Sequence, residues 1–272
     1  MAEATLTPEN GDMSALAAEA VAARRRRRVN LGGTAIALLG LLALWIALSI
    51  LVRPWVPTPM ATLFAMGDAL ASAGFYADMA LTLGRVLVAF TAASVVGCAL
   101  GIAVGLSRRT EAFFQPLLAV GLAIPDPVYI IFAILALGTG ELAGVVALTV
   151  ALVPFVSNIV RSSVHARDLD LDEMVKVYRF SRWEAFRSNL VPQLIPAFLT
   201  AARFSFALSW KLVVVVEALS QPDGIGAAIF QAFNVLRMRE MLALAILFTL
   251  VMQLLERGVI QRLEQRLLQW RL

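Results

Sequence analysis

The chain has 272 residues, 60% of them in the AVILMFWYC set and 15% charged, where a soluble domain carries about 25% charge. Its mean hydropathy of +0.81 leaves more apolar surface than one aqueous core can hide, which excludes an ordinary soluble globular protein. A single cysteine, Cys98, and a single histidine, His165, exclude an internal disulfide, a cysteine-built metal site and most imidazole chemistry, and the net charge of +4 reflects the local run Arg24 to Arg28 more than a nucleic-acid footprint.

A hydrocarbon layer about 30 Å thick takes about 20 helical residues at 1.5 Å each, and six apolar runs of that order follow one another along the chain. Residues 1–28 come first, a polar cytoplasmic tail ending in the arginine run. The run after them, 29–52, is too long for the apolar region of a signal peptide, and Val52-Arg53-Pro54 is no cleavage site, so it is an uncleaved first span. Trp45 and Trp55 belong at its lipid-facing or interfacial surface. The second span is 79–106, with Arg85 near its start and a Gly101/Gly105 pair spaced for close helix packing within the chain. The third, 112–138, carries Pro116, Pro125, Asp126 and Pro127 and is expected to bend or break halfway. The fourth, 142–160, is free of charge. The fifth, 194–219, contains Arg203, Lys211 and Glu217, and the sixth covers 241–255 with a turn on either side.

The amino terminus is placed inside by charge. Segments 1–28, 107–111, 161–193 and 256–272 then hold seventeen of the 23 positive residues, against Arg53, Arg237 and Arg239 in the outer connections, as the positive-inside rule requires. Both termini are cytoplasmic, and residues 261–272 continue a basic amphipathic tail suited to the inner headgroups.

Residues 161–193 are patterned as two short amphipathic helices. Asp170 with Glu173, and Ser181 with Glu184, each fit an N-cap and its reciprocal partner, and Asp172 adds negative charge in a first turn. Leu171, Val175 and Tyr178 form one apolar stripe, and Trp183, Phe186 and Leu190 another. Such helices either lie on headgroups or their own bundle, or insert into a groove of a soluble partner. His165 sits in the same loop and is expected to be solvated.

Within the membrane, ionisable and polar groups face the bundle interior or a water-filled path by default. The candidates for a translocation pathway or gate are Asp126, Tyr129, Asn158, Arg203, Lys211 and Glu217. Lys211 and Glu217 are six residues apart, on different helix faces, so a cross-helix pair from Asp126 to Lys211 or Arg203 is expected instead.

Several segments carry a resemblance. Glu173-Met174-Val175, then LVPQLIPAFLTAARFSFALSWKLVVVVEAL with its Pro192, then QPDGIGAAIFQAF, resemble the permease subunits of bacterial ABC importers, and in particular the branch serving nitrate, sulfonate and taurine. VPTP at 56–59, LGRVLVAF at 83–90, GIAVGLSRR at 101–109 and LALGTGELAGVVALTVALVPF at 135–155 fit the same order. The family's cytoplasmic signature is Glu-Ala-Ala, a glycine four residues later and a proline thirteen beyond it. Here Glu173 and Pro192 keep their places, while Met174, Val175 and Arg179 depart from it.

The resemblance implies an all-α fold of the type I ABC importer permease kind, with 29–260 as the six-helix membrane domain and 161–193 as its coupling-helix loop. It implies that Asp172, Glu173, Lys176, Tyr178, Arg179, Arg182, Trp183 and Pro192 serve coupling to the ATPase. It also implies the partners: two ABC ATPase subunits, an external periplasmic or lipoprotein solute-binding protein, and a second permease copy as a homodimer in the bacterial inner membrane. Glycine at 179 would take a positive φ cheaply, so with Arg179 the turn is expected to be redrawn around Phe180 and Ser181. The chain itself has no catalytic residues and no cofactor, since its two lysines, Lys176 and Lys211, follow Val175 and Trp210 and neither belongs to a P-loop. ATP and magnesium would therefore bind the partner. A stand-alone carrier or channel is the alternative; six spans without an inverted repeat speak against it, and no nucleophile, metal set or carboxylate dyad supports a membrane enzyme.

Overall fold

In lipid, backbone N–H and C=O groups have no water to bond, so long apolar runs close their hydrogen bonds within themselves as helices. The computed structural model describes residues 33–260, and among these every regular element is helical. Two compact units divide the chain after Ala61. The first holds α1 (Gly33–Leu51) and a turn in which Trp45 Nε1 donates to the carbonyl of Pro57 at 3.1 Å. Trp55 is exposed, as an interfacial tryptophan should be. The arginine run and both tails lie outside the described residues.

The second unit follows through α2 (Pro59–Ala71), α3 (Ala73–Leu106), α4 (Arg108–Ala123), α5 (Asp126–Leu137) and α6 (Glu141–His165). A loop carries α7 (Leu169–Val177) and α8 (Arg182–Ala185), and a π turn at Phe186–Leu190 runs straight into α9 (Val191–Ser220). Then come α10 (Ile225–Asn234) and α11 (Met238–Leu255). The short helices α2 and α10 are additions to the elements expected from sequence, because neither is long enough to register as a span.

The core is the packing of α3, α6 and α9. The glycine ladder of α3 fits the valine ladder of α6: a Cβ built on Gly97, Gly101 or Gly105 would stand 2.6 Å from Val156, 2.7 Å from the Ser157 carbonyl and 2.6 Å from Val164 respectively. The Gly101/Gly105 pair is thus an intrachain contact, as expected. Toward one end of the unit Phe206, Trp210, Val213 and Val216 of α9 join Val86 and Ala89 of α3.

Helices α4 and α5 meet at 101°. Pro125 pushes Ile124 out of the α region, so the helix stops at Ala123, and Pro127, in the first turn where its missing N–H costs nothing, fits the new helix that starts at Asp126. Contacts at the two ends decide what the bent pair does. Glu111, at the start of α4, pairs with Arg161 near the end of α6, while Glu141, at the start of α6, pairs with Arg85 near the start of α3. The pair α4–α5 therefore begins at one end of α6 and delivers the chain to the other, so it counts as one span, and the described residues hold six.

In the loop one cap differs from expectation. Asp168 caps α7, its carboxylate accepting from the Asp170 amide at 2.9 Å, so Asp170 is already in the first turn. Ser181 and Glu184 form the expected reciprocal box, with Ser181 N donating to Glu184 Oε2 at 2.8 Å and Glu184 N to Ser181 Oγ at 3.3 Å.

Candidate functional site

Three regions of the second unit concentrate polar chemistry, and the first is a knot at the end of the bundle away from the α7–α8 loop. Arg85 points from α3 into the junction of α6, α9 and α10 and is 8% exposed. Its Nε donates to both oxygens of Glu141 at 3.0 Å. Nη1 donates to Glu217 at 2.7 Å and to the Asp223 carbonyl at 2.9 Å, and Nη2 reaches the Asp223 carboxylate. Glu217 is wholly buried, yet both its oxygens are met: Thr82 donates to it at 2.9 Å and the Gly226 amide at 2.8 Å.

The turn before α10 is built around that carboxylate. Gly224 holds φ at 98°, and a Cβ there would stand 2.4 Å from Glu217 Oε1, so both the angle and the space demand glycine. Gly226 N and Ile225 N, at the positive end of α10, are taken by Glu217 and Thr82. A buried charge is tolerable when it is paired and hydrogen-bonded, and here each carboxylate oxygen has a donor of its own, Arg85 for Oε1 and the Gly226 amide for Oε2, with the Thr82 hydroxyl shared between them. Arg85, Glu141 and Asp223 were not among the residues expected to matter. Their signal lay in LGR, ELAG and QPDGIG, where a lone charge abuts an apolar run.

The second region is the middle of the bundle, and it redistributes the expected pathway residues. Glu217 belongs to the knot, so its cross-helix partner is Arg85. Asp126 is half-buried at the α4–α5 break; Tyr129 spans that break, its hydroxyl donating to the Gly121 carbonyl at 2.8 Å. The expected pair from Asp126 to Lys211 does not form. Instead Lys211 lies over the Trp210 ring at 5.5 Å, exposed on the outward side of α9, where Arg203 is exposed as well. Beside Tyr129, α5 and α6 flank an open apolar groove of about 530 Å³ lined by Phe132, Ala136 and Val146 among others. Asn158 is drawn instead toward the inner end, accepting from Arg161 at 3.1 Å. Arg161 also meets Glu111 at 2.8 Å, and His165 lies 3.2 Å from the same carboxylate.

The third region is the loop. Val177, Tyr178 and Trp183 are 78%, 69% and 67% exposed, and Glu173, Lys176 and Arg179 are exposed beside them; nothing is described of the Arg182 side chain. Of the two expected stripes, the second turns inward only at Phe186 and Leu190, while Trp183 stays exposed. Leu190 packs on Val160 and Val164 and Trp183 stacks on Phe186 at 5.8 Å. The first stays out, since α7 has no buried residue. It is held by polar contacts: Asp172 is bonded to Arg167 and Asn189, and Pro192 lies in the first turn of α9. Arg179 sits at φ 53°, so the turn is not redrawn. Arg179 N donates to Lys176 O and Phe180 N to Val175 O, both at 3.1 Å, the 5→2 and 6→1 bonds of a Schellman motif. Among the described residues no group of three or more His, Cys, Asp or Glu is placed to hold a metal.

Residues 93–269 match the family model of the binding-protein-dependent transport system inner membrane component. A nitrate import permease of Synechocystis is 32% identical over 181 residues, 65% of each chain. The taurine transport system permease of Escherichia coli K12 is 24% identical over 198 residues, 73% of this chain and 72% of that one, and a bicarbonate transport system permease of Synechococcus elongatus is 26% identical over 163, or 59% and 58%. Among solved structures, the inward-facing MetNI methionine ABC transporter superposes with a TM-score of 0.61 at 17% identity, covering 68% of this chain and 92% of that one. An amino acid ABC transporter gives 0.59 at 20% identity, covering 71% and 93%. At these identities the superpositions speak for the fold: a type I ABC importer permease.

Proposed function

The chain belongs to the family of binding-protein-dependent transport system inner membrane components, and from that premise we propose that two copies of it enclose a water-filled path for a small anion or zwitterion. The chain is a multi-pass permease subunit of an ABC importer, without catalytic activity of its own. In the proposed assembly an external binding protein delivers the solute, and two ATPase subunits, which bind ATP and magnesium, dock on the inner loop at residues 169–190. The second copy is a homodimer partner, and both termini lie in the cytoplasm.

The observation that carries this is Lys211. It lies nine residues inside the end of α9 at Ser220, about 13 Å at 1.5 Å per residue, and one copy leaves it exposed. An ammonium facing lipid at that depth costs about 2.5 to 3.5 kcal/mol on insertion scales, and turning the same face to water shared with a second copy removes the cost. A cation on the wall of such a path favours an anionic group, and the nitrate, bicarbonate and taurine of the relatives' names all carry one. Asp126, Tyr129 and Arg203 are assigned to the same path on position alone, with Asn158 and the Arg85–Glu217 knot at its two ends.

The test is reconstitution with ATPase subunits and binding protein in vesicles offered nitrate, bicarbonate and taurine. ATP-dependent uptake of at least one is expected, falling at least tenfold in Lys211→Met and persisting in Lys211→Arg. Uptake by Lys211→Met at the unaltered rate refutes the path, and accumulation without the ATPase refutes the importer.

A further inference from the structure

The loop's exposed helix is attached to the membrane domain in an unusual way. Helix α7 buries none of its residues, so its apolar side chains do not anchor it. What fixes it is a chain of side-chain bonds. Arg167 donates from Nη1 to the Val164 carbonyl at 2.8 Å, at the end of α6, and from Nε to Asp172 Oδ2 at 2.7 Å. Asn189 Nδ2 donates to Asp172 Oδ1 at 2.8 Å. Gln193 Nε2 donates to Asn189 Oδ1 at 2.7 Å, and Gln193 Oε1 accepts from the Asp168 amide at 2.8 Å. The bonds from Asp168 through α7 to Asp172, Asn189 and Gln193 therefore close a ring that clasps both ends of the first turn of α7 to the start of α9.

The ring sits on a soft joint. Asn189 belongs to the π turn Phe186–Leu190, where Val191 N reaches back five residues to Phe186 O. A π turn carries one residue more per turn than its neighbours, a register that an α-helix can absorb or release. Leu190 pins the inner side of this turn to α6, leaving its outer side, with Asn189, bonded to α7. A push on α7 reaches α6 through residues 166–168 and the Arg167 bonds, and it reaches α9 through this ring or through the longer peptide path by way of α8. The ring is the shorter of the two paths to α9, the helix that bears Lys211.

We propose that Asn189 and Gln193 are positioning residues for transport, forming with Asp172 the linkage that delivers a displacement of α7 to α9. This rests on the reading that the ATPase docks on residues 169–190. Networks of this kind act as a unit, because each bond polarises the next.

The experiment needs no knowledge of the solute. In the full chain, Cys98→Ala removes the one native cysteine and Leu219→Cys reports on α9. The chain is co-expressed with its ATPase, and maleimide labelling of residue 219 is followed without nucleotide and with ATP plus vanadate. With the ring intact, nucleotide changes the labelling rate at least fivefold. Asn189→Asp sets a carboxylate against that of Asp172 and the nucleotide-dependent change in labelling disappears; Gln193→Leu, outside residues 169–190, removes the bonds to Asn189 and Asp168 and loses the same change while the complex still assembles and hydrolyses ATP within twofold. Adding Asp172→Asn to Asn189→Asp reverses donor and acceptor, since the new amide at position 172 then donates to the new carboxylate at position 189, and restores the change. The linkage is overturned if Asn189→Asp or Gln193→Leu labels like the parent, if hydrolysis and assembly fall in step with the labelling change in Gln193→Leu, if the double variant fails to restore it, or if the parent shows no change at all. Failure of the docking reading looks different: the parent chain retains its ATPase when Val177, Tyr178 and Trp183 are all replaced by serine.

Discussion

At position 179 a long, charged side chain occupies a left-handed turn. A non-glycine residue there costs about 1 to 2 kcal/mol, and the structure accepts the cost because the Schellman bonds at 3.1 Å fix the end of α7. The same device recurs after α10, where Leu236 sits at φ 59° and Arg237 N donates to Ala232 O at 2.8 Å. Arg179→Gly and Leu236→Gly should each raise the thermal midpoint in detergent, by the equivalent of up to about 1 kcal/mol once the added freedom of the unfolded chain is subtracted. Arg179→Val should lower it, because a β-branched residue tolerates the angle least. The backbone requirement at 179 was legible from the spacing to Glu173 and Pro192; that an arginine would meet it unchanged was not, since the bonds that hold the turn are made by neighbours. Glu217 teaches the same lesson from the other side. Its burial could be suspected from an acid in an apolar run, but Arg85 is 132 positions away, and no local pattern names a partner at that distance.

Elements are where the sequence is most legible, because a span announces itself by length. Among the described residues each of the six apolar runs is helical, the third as two helices whose break falls at Pro125. The short helices α2 and α10 escaped notice because a helix of 10 residues looks like a connection until the knot that caps it is known. How α3 and α6 approach is a property of one ladder. A methyl at Gly101 would meet a backbone carbonyl at 2.7 Å, while at Gly84, on the same helix, nothing lies within 4 Å. Gly101→Ala should therefore destabilise the protein by about 1 to 3 kcal/mol, read as a lower thermal midpoint and lower yield from the membrane, and Gly84→Ala should leave both unchanged or slightly improved. Equal behaviour of the two variants would show that the ladder is not the close contact described.

For the whole molecule the decisive matter is which ends lie on which side. Hydropathy alone leaves α4 and α5 ambiguous: two helices at 101° could dip into the membrane and return. The two ion pairs resolve it. Glu111 with Arg161 and Glu141 with Arg85 sit toward opposite ends of α6, and from Glu141 to Arg161 that helix rises about 30 Å at 1.5 Å per residue. The chain between Glu111 and Glu141 must travel that distance, which a returning hairpin would not do. Charge then predicts the sense: the positive-inside rule places the end bearing Arg108, Arg109, Arg161 and Arg167 in the cytoplasm. Both statements can be checked with single cysteines in a Cys98→Ala chain, at Thr139, Asp223, Ser107 and Val177, probed in intact cells with an impermeant maleimide. Residues 139 and 223 should label from outside, and 107 and 177 only after the cells are opened. Were 139 to label with 107, the bent pair would be a hairpin and the span count five; were all four to exchange sides, the loop would face away from any ATPase, and the permease would have no surface through which nucleotide could drive it.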